Sequence, residues 1–187
     1  MVTNMRDTDS PSAEKQPKKI YLAGFDVFRL NAKEHGEYLK SLCAAKGLIG
    51  LYPLDGVVPA LSPQDAARWI CNANLDLIRS ADAVMANLND FRSASEPDTG
   101  TAFEVGFAVA LGKQVWGYRS NDQTLVERAG VRVQDNDAFC SQGFIVEDFS
   151  LSLNLMLACT VKLVIGNADM CVNAIYEALT ENSVQIV

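Results

Sequence analysis

Two carboxylates occupy positions from which they could do chemistry. Glu104 lies about one turn inside a predicted helix that opens at Thr99, among the apolar residues Ala102, Phe103, Val105 and Phe107. A carboxylate there faces either solvent or a crevice. Asp76, in Asn72-Ala73-Asn74-Leu75-Asp76-Leu77-Ile78, sits near the C-terminal end of another helix. The helix dipole disfavours negative charge there, so the residue calls for a reason. Two carboxylates in one crevice can act as nucleophile and as general acid or base. Each also has a plainer reading: an acid in the first helical turn suits the dipole, and a helical Asp is commonly a solvated surface group. Gly100 and Gly106 flank Glu104 and allow close approach of backbone or ligand.

Other engines lack their parts. His35 is the sole histidine, set in Lys33-Glu34-His35-Gly36-Glu37, and reads as a surface residue. A Ser-His-Asp or Cys-His engine needs a positioned imidazole beside its nucleophile. A zinc site lacks both ligands and spacing. No phosphate loop of the Walker type and no G-x-G-x-x-G occurs. The expectation is therefore no metal and no cofactor, with chemistry carried by carboxylates.

The elements that must position them alternate. Ile20–Ala23 is a buried strand ending at Gly24. A helix is predicted from about Asn31 to Lys46, stopped by Gly47, then a strand over Leu48–Tyr52. Ser62-Pro63 opens a helix to about Ser80, because Ser caps and Pro fits the first turn. Ala83–Leu88 is a third strand, Thr99–Leu111 a helix stopped by Gly112, and Gln114–Tyr118 a fourth strand. Residues 119–143 read as irregular. Phe144-Ile145-Val146 is taken as a short fifth strand, Leu151 to about Ile165 as a helix, and Ala168–Thr180 as a last helix.

Alternating strands and helices imply a three-layer α/β sandwich, flavodoxin-like or Rossmann-like, with a mainly parallel sheet of about five strands. Ligands of such sheets bind beyond the carboxyl ends of the strands, where strand order reverses. The loops after Ala23, Tyr52 and Leu88 should then ring one crevice.

Bulk properties bound the rest. Residues 1–18 are polar and read as a disordered leader, and 19–187 as a single domain. The leader has no apolar core of a signal peptide, and no run is long enough to span a membrane, so the cytoplasm is the default location. The net charge is −7. Phosphate neutralisation dominates nucleic-acid binding, and the one basic cluster, Lys15–Lys19, is a short tail. Nucleic acid and anionic membrane are poor partners. Five cysteines without a C-x-x-C pair read as reduced, buried thiols.

Four segments, in order, give the chain a family likeness: Lys19-Ile20-Tyr21-Leu22-Ala23-Gly24; Asn74-Leu75-Asp76-Leu77-Ile78 followed by Ser80-Ala81-Asp82-Ala83-Val84; Asp98-Thr99-Gly100-Thr101-Ala102-Phe103-Glu104-Val105-Gly106; and Leu153-Asn154-Leu155-Met156. Over about residues 19–160 the chain resembles the nucleoside 2-deoxyribosyltransferases and their relatives, the deoxynucleotide N-hydrolases. The resemblance implies exchange of the base of a 2′-deoxyribonucleoside, with nucleosides and free nucleobases as small-molecule partners. It makes Glu104 the nucleophile that forms a covalent deoxyribosyl ester, Asp76 the acid that protonates the departing base, and Tyr21 the residue that positions Glu104. It assigns Asp98 and Asn154 to the sugar 5′-hydroxyl. Asn154 and Met156 would reach in from a neighbouring subunit, so a homo-oligomer of at least two chains with shared sites is expected. Gly24, in the family's opening segment, is expected among the substrate-binding residues, and Phe25, Phe28 and Trp69 are candidates to stack on the base or simply to fill core.

The implied chemistry suits the residues. Breaking the bond builds an oxocarbenium-like sugar, which a nearby carboxylate stabilises and then captures. The runner-up is a 5′-nucleotide N-hydrolase, disfavoured because Asp98 would repel a 5′-phosphate. A phosphoribohydrolase with a Gly-Thr-x-x-Glu run and a non-catalytic nucleoside sensor are the remaining readings. The chain departs from the shorter family members by its leader and by about thirty residues after the Asn-Leu-Met segment.

Overall fold

A computed structural model of the chain describes residues 16–92 and 95–181. Most of the expected leader lies outside the described residues. Lys18, placed in the leader, is instead tied to the domain: its ammonium donates to Asp82 Oδ1 at 2.8 Å.

In chain order the elements are β1 (Lys19–Ala23), α1 (Ala32–Ala44), β2 (Ile49–Leu51), α2 (Pro63–Ser80), β3 (Ala83–Asn87), α3 (Thr99–Ala110) and β4 (Gln114–Arg119). There follow α4 (Leu125–Ala129), β5 (Arg132–Gln134), β6 (Asp137–Phe139), β7 (Ile145–Val146), α5 (Leu155–Ala158), β8 (Lys162–Ile165) and α6 (Ala168–Glu181). A 3-10 turn, Phe25–Phe28, joins β1 to α1. The main sheet has the order β2-β1-β3-β4-β8 and is parallel throughout. This is the flavodoxin-like winding, in which strand order reverses between β1 and β3.

Alternation along the strands divides the core in two. Ile20, Leu22, Met85, Trp116 and Tyr118 face α1 and α6, where Leu39, Cys43, Cys171, Val172 and Ile175 meet them. Tyr21, Ala23, Val84, Ala86 and Val115 face α2, α3 and α5, packing on Ile78, Val105, Ala108 and Leu157. Each such large apolar side chain contributes about 1.5–3 kcal/mol on burial. Tyr21 is the one polar-tipped member of the second set on β1, so its hydroxyl must find a partner on that face.

Local signals explain the helix starts. The Ser62 side chain accepts the Asp65 N–H at 3.2 Å, with Pro63 in the first turn of α2. Two expectations fail at the C-terminal side. Ile145–Val146 is not the fifth strand of the main sheet but pairs with β6 in a separate antiparallel β5-β6-β7 sheet. The stretch 151–165 is not one helix. It is a single turn, α5, followed by β8, the true fifth strand. The run Val161-Lys162-Leu163-Val164-Ile165 is too short and too β-branched to continue a helix, and Gly166, at φ 150°, ends it. The irregular stretch 119–143 holds α4, β5 and β6.

The cysteines are free thiols. Only Cys43 and Cys171 are buried, as expected of all five; Cys71 and Cys159 are exposed and Cys140 is intermediate. Among the described residues no helix is long and apolar enough to cross a membrane.

Candidate active site

The site is built where β1 and β3 end side by side. Gly24, at φ 157°, lets the chain leave β1 close over β3: a Cβ there would come within 2.8 Å of Asn87 Cβ. Beyond it, Asp26 turns inward and is 2% exposed. Its carboxylate accepts from Asn87 Nδ2 at 2.8 Å and Arg29 Nε at 2.9 Å, and His35 Nε2 lies 3.2 Å away. His35 is therefore not the free surface residue its charged neighbours suggest; its side chain is 20% exposed and closes over a buried acid. The resulting latch fixes the 3-10 turn to the end of β3 and to the first turn of α1.

Glu104 faces this crevice from the first turns of α3. The Tyr21 hydroxyl donates to its Oε1 at 2.6 Å, joining the face of β1 to the helix. Burial pushes the Glu104 carboxyl up to about 7; the Tyr21 bond pulls it down and the Asp98 charge pushes it up. Burial first, and then the Glu104 charge, raises the Tyr21 hydroxyl far above its ordinary range. Tyr21 is thus a fixed hydrogen donor, and Glu104 is poised to exchange its proton near neutrality.

Asp98 caps α3. Its Oδ2 accepts from the Thr101 N–H at 2.8 Å and the Thr101 hydroxyl at 3.1 Å. Gly100 makes room, since a Cβ there would lie 3.0 Å from that oxygen. Asp98 Oδ1 takes neither bond and is left for another donor.

Asp76 does not join the crevice. Its side chain is 76% exposed and pairs with Arg79 at 2.7 Å. Helical geometry explains this: at about 100° per residue, Asp76 points away from Ile78, which is wholly buried against the sheet. The polar residue on the inward face is Asn74, one turn before Leu77 and Ile78, which pack with Tyr21 and Val105. Its Oδ1 is buried and has no hydrogen-bond partner among the described residues. Sequence reasoning passed over Asn74 because it weighed charge; the i, i+3 and i, i+4 spacing to two apolar residues was the available signal.

The remaining candidates divide. Phe25 stacks on Phe91 with ring centroids 4.9 Å apart, and Phe28 lies 5.4 Å from the same ring. The Arg92 guanidinium rests over Phe91 and Phe28. Trp69 is half-buried on α2, its ring edge 3.4 Å from where Gly56 would carry a Cβ. Asn154 and Met156 are exposed. The Asn154 side chain caps α5, accepting from the Met156 N–H at 3.0 Å, and donates to Glu147 at 3.1 Å. Both residues line a cavity of about 1170 Å³ whose α3 wall includes Ala102, Gly106 and Val109. On the helix these positions point roughly opposite to Glu104. One chain therefore does not bring Asn154 and Met156 to its own Glu104. Among the described residues no group of acidic, histidine or cysteine side chains is arranged to hold a metal ion.

The part-buried tyrosine–glutamate pair thus stands at the β1/β3 switch point of a flavodoxin-like sheet, and the chain as a whole is similar to known proteins. Residues 20–156 match the model of the nucleoside 2-deoxyribosyltransferase family. The chain belongs to the nucleoside 2-deoxyribosyltransferase family. A solved structure of a 2-desoxiribosyltransferase from Leishmania mexicana superposes with a TM-score of 0.70 at 35% identity, covering 86% of this chain and 98% of that one. An uncharacterised protein of Schizosaccharomyces pombe is 34% identical over 119 residues, 60% of this chain. That match spans only 56% of the yeast protein's length.

Proposed function

We propose that the protein moves the 2-deoxyribosyl group of a nucleoside from one nucleobase to another through an ester with Glu104. The observation that carries this is the 2.6 Å, part-buried bond from Tyr21 to Glu104 at the strand-order reversal. The Leishmania mexicana protein, a 2-desoxiribosyltransferase by description, supports the same reading.

Glu104 Oε1 is held by Tyr21, so Oε2 is the oxygen that attacks C1′ as the C1′–N bond breaks. The electron pair of that bond leaves with the base. The developing sugar cation is stabilised by the carboxylate and then trapped as an ester. A second base attacks C1′ from the face the first one left, and two inversions retain the β-configuration. The 2-deoxy sugar favours this route, because it lacks an electron-withdrawing hydroxyl beside the cation. Asn74 offers an amide that can hydrogen-bond a base but cannot surrender a proton. Asp76 is turned to solvent, so the proton taken up by the departing base is assigned to water. Asp98 Oδ1 accepts from the sugar 5′-hydroxyl, and its charge disfavours 5′-phosphates.

The same reading makes the protein a homo-oligomer in which Asn154 and Met156 complete the site of a neighbouring chain. Gly106 supports this. It stands exposed in mid-helix, with nothing within 4 Å of where a Cβ would be. Glycine there costs about 1 kcal/mol relative to alanine, and the chain itself gains no packing from it. A helix of a second copy approaching closely would account for it.

The test is covalent trapping. A 2-fluoro-2-deoxyarabinosyl nucleoside should add one sugar mass to the peptide that contains Glu104, and to nothing in Glu104→Ala. A label on Asp98 or Asp76 would defeat the assignment.

A further inference from the structure

The segment that carries Asn154 is held by an unusual device. Arg119, at the end of β4, is 1% exposed, and the Arg128 side chain, on α4, is 5% exposed. Both donate to the same backbone oxygen, Ser152 O: Arg119 Nη1 at 3.2 Å and Arg128 Nη2 at 2.5 Å. Both also grip one carboxylate oxygen, Asp90 Oδ1, from the loop after β3: Arg119 Nη2 at 3.3 Å and Arg128 Nη1 in close contact. Two cations thus share one anion. Arg128 Nε is buried and has no hydrogen-bond partner among the described residues. Such an arrangement is a poor way to gain stability, since apolar side chains of similar volume would hold two loops together at less cost in desolvation. What it does supply is direction: a planar fork fixes the carbonyl it binds.

The fixed carbonyl lies two residues before Asn154. Leu153 between them is wholly buried. Upstream, Leu151 O accepts from the Leu125 N–H at 2.8 Å. Downstream, Glu147 accepts from the Leu155 N–H at 2.7 Å and from Asn154 Nδ2. The loop that carries Asp90 goes on to Asp98. The clamp therefore joins the stretch leading to one sugar-binding acid with the stretch that presents the sugar-binding amide.

We propose that Arg128, with Arg119, is a positioning residue: it sets Asn154 at the distance required to hold the 5′-hydroxyl of the sugar bound by a neighbouring chain. The inference rests on the proposed role of Asn154. A donor that lacks the 5′-hydroxyl should then be indifferent to the clamp.

The experiment compares a 2′-deoxynucleoside with its 2′,5′-dideoxy analogue as donors, in the intact protein and in Arg128→Met, Arg128→Lys and Asn154→Ala. Arg128→Met should raise KM for the 2′-deoxynucleoside about 10-fold or more while changing kcat/KM for the analogue less than about 2-fold. Arg128→Lys keeps the charge but has one nitrogen in place of the fork, so it should show the same donor-dependent pattern at smaller size. It also serves if the methionine variant fails to fold. Equal losses on both donors would make the clamp a scaffold only and overturn the proposal; so would no loss on either. If Asn154→Ala fails to separate the two donors, the role of Asn154 itself falls and takes the proposal with it. If Asn154→Ala separates them and neither Arg128 variant does, the clamp alone is refuted.

Discussion

Tyr21 and Glu104, 83 residues apart in sequence, are joined by a 2.6 Å hydrogen bond across the interface of sheet and helix. The bond ties a residue chosen by strand alternation to one chosen by helical turn. Its electrostatic consequence is open to titration. Removing the hydroxyl in Tyr21→Phe deletes the one interaction that lowers the Glu104 pKa. The acid limb of the kcat/KM profile should move to higher pH, and activity at pH 6 should fall more than at pH 8.5. An unmoved limb would show that Tyr21 does not tune Glu104.

Glu104 itself should govern that limb. Its carboxyl titrates near 7 in the folded protein against an ordinary 4.5. A nucleophile must be ionised, so kcat/KM should fall about tenfold per unit below pH 7. Stability should move the other way. The folded state binds the extra proton between pH 4.5 and 7, so stability is lost as pH rises through that window. Glu104→Gln should match the parent near pH 4 and exceed it at pH 8, by about 3 kcal/mol at most. Urea melts at the two pH values would measure this.

Asp98 does two jobs that substitution can separate. Asp98→Asn keeps an acceptor for Thr101 but removes the charge. The intact protein should prefer a deoxynucleoside over its 5′-monophosphate by at least ~10-fold, equivalent to about 1.4 kcal/mol, and Asp98→Asn should narrow that ratio. Asp98→Ala should in addition cost about 1 kcal/mol of stability through the lost helix cap.

The inward and outward residues of α2 should behave oppositely. Asp76→Asn removes a solvent-exposed pair with Arg79 and should leave kcat/KM within about 2-fold, since exposed pairs contribute little. Asn74→Leu removes a buried amide oxygen that has no partner among the described residues, and should raise KM for the nucleobase while leaving the fold intact. Loss of activity in Asp76→Asn would restore Asp76 as the acid.

Gly106→Leu should test the assembly. A Cβ at this exposed position meets nothing within 4 Å outside its own helix, so the monomer should fold as before. Sedimentation should show fewer associated chains, with exchange activity lost in parallel. A fully associated, active Gly106→Leu protein would remove the case for a partner at this face.

Much of this was legible in the chain. β1, β3 and β4 are short apolar runs closed by Gly24, the polar loop from Asn89, and Ser120, and α2 and α3 announce themselves by Ser62-Pro63 and Asp98. Pattern failed where two elements of one polarity adjoin. Leu155–Ala158 and Lys162–Ile165 are both apolar, and only pairing with β4 makes the second a strand. It failed again where a partner lies far off. His35 gains its role from Asp26, and Asp26 is buried only because Gly24 brings it against Asn87. Charge misled at Asp76, since a helix decides direction by angle, and the angle favours Asn74.

Strand β8 and helix α6 lie beyond residues 20–156, the stretch that the family model matches, yet they cover Trp116 and Tyr118 on the sheet. During synthesis β4 therefore leaves the ribosome with one edge unpaired. It remains so until residue 165 has emerged, and the face is not sealed until α6 follows. Parallel pairing of this kind cannot be rehearsed locally, because each strand waits for a distant one. The interval is a window for capture of β4 by another nascent chain or by a chaperone. Strand β8 and helix α6 thus order the last steps of folding: the free edge of β4 and the face that bears Trp116 and Tyr118 close only after both have been made.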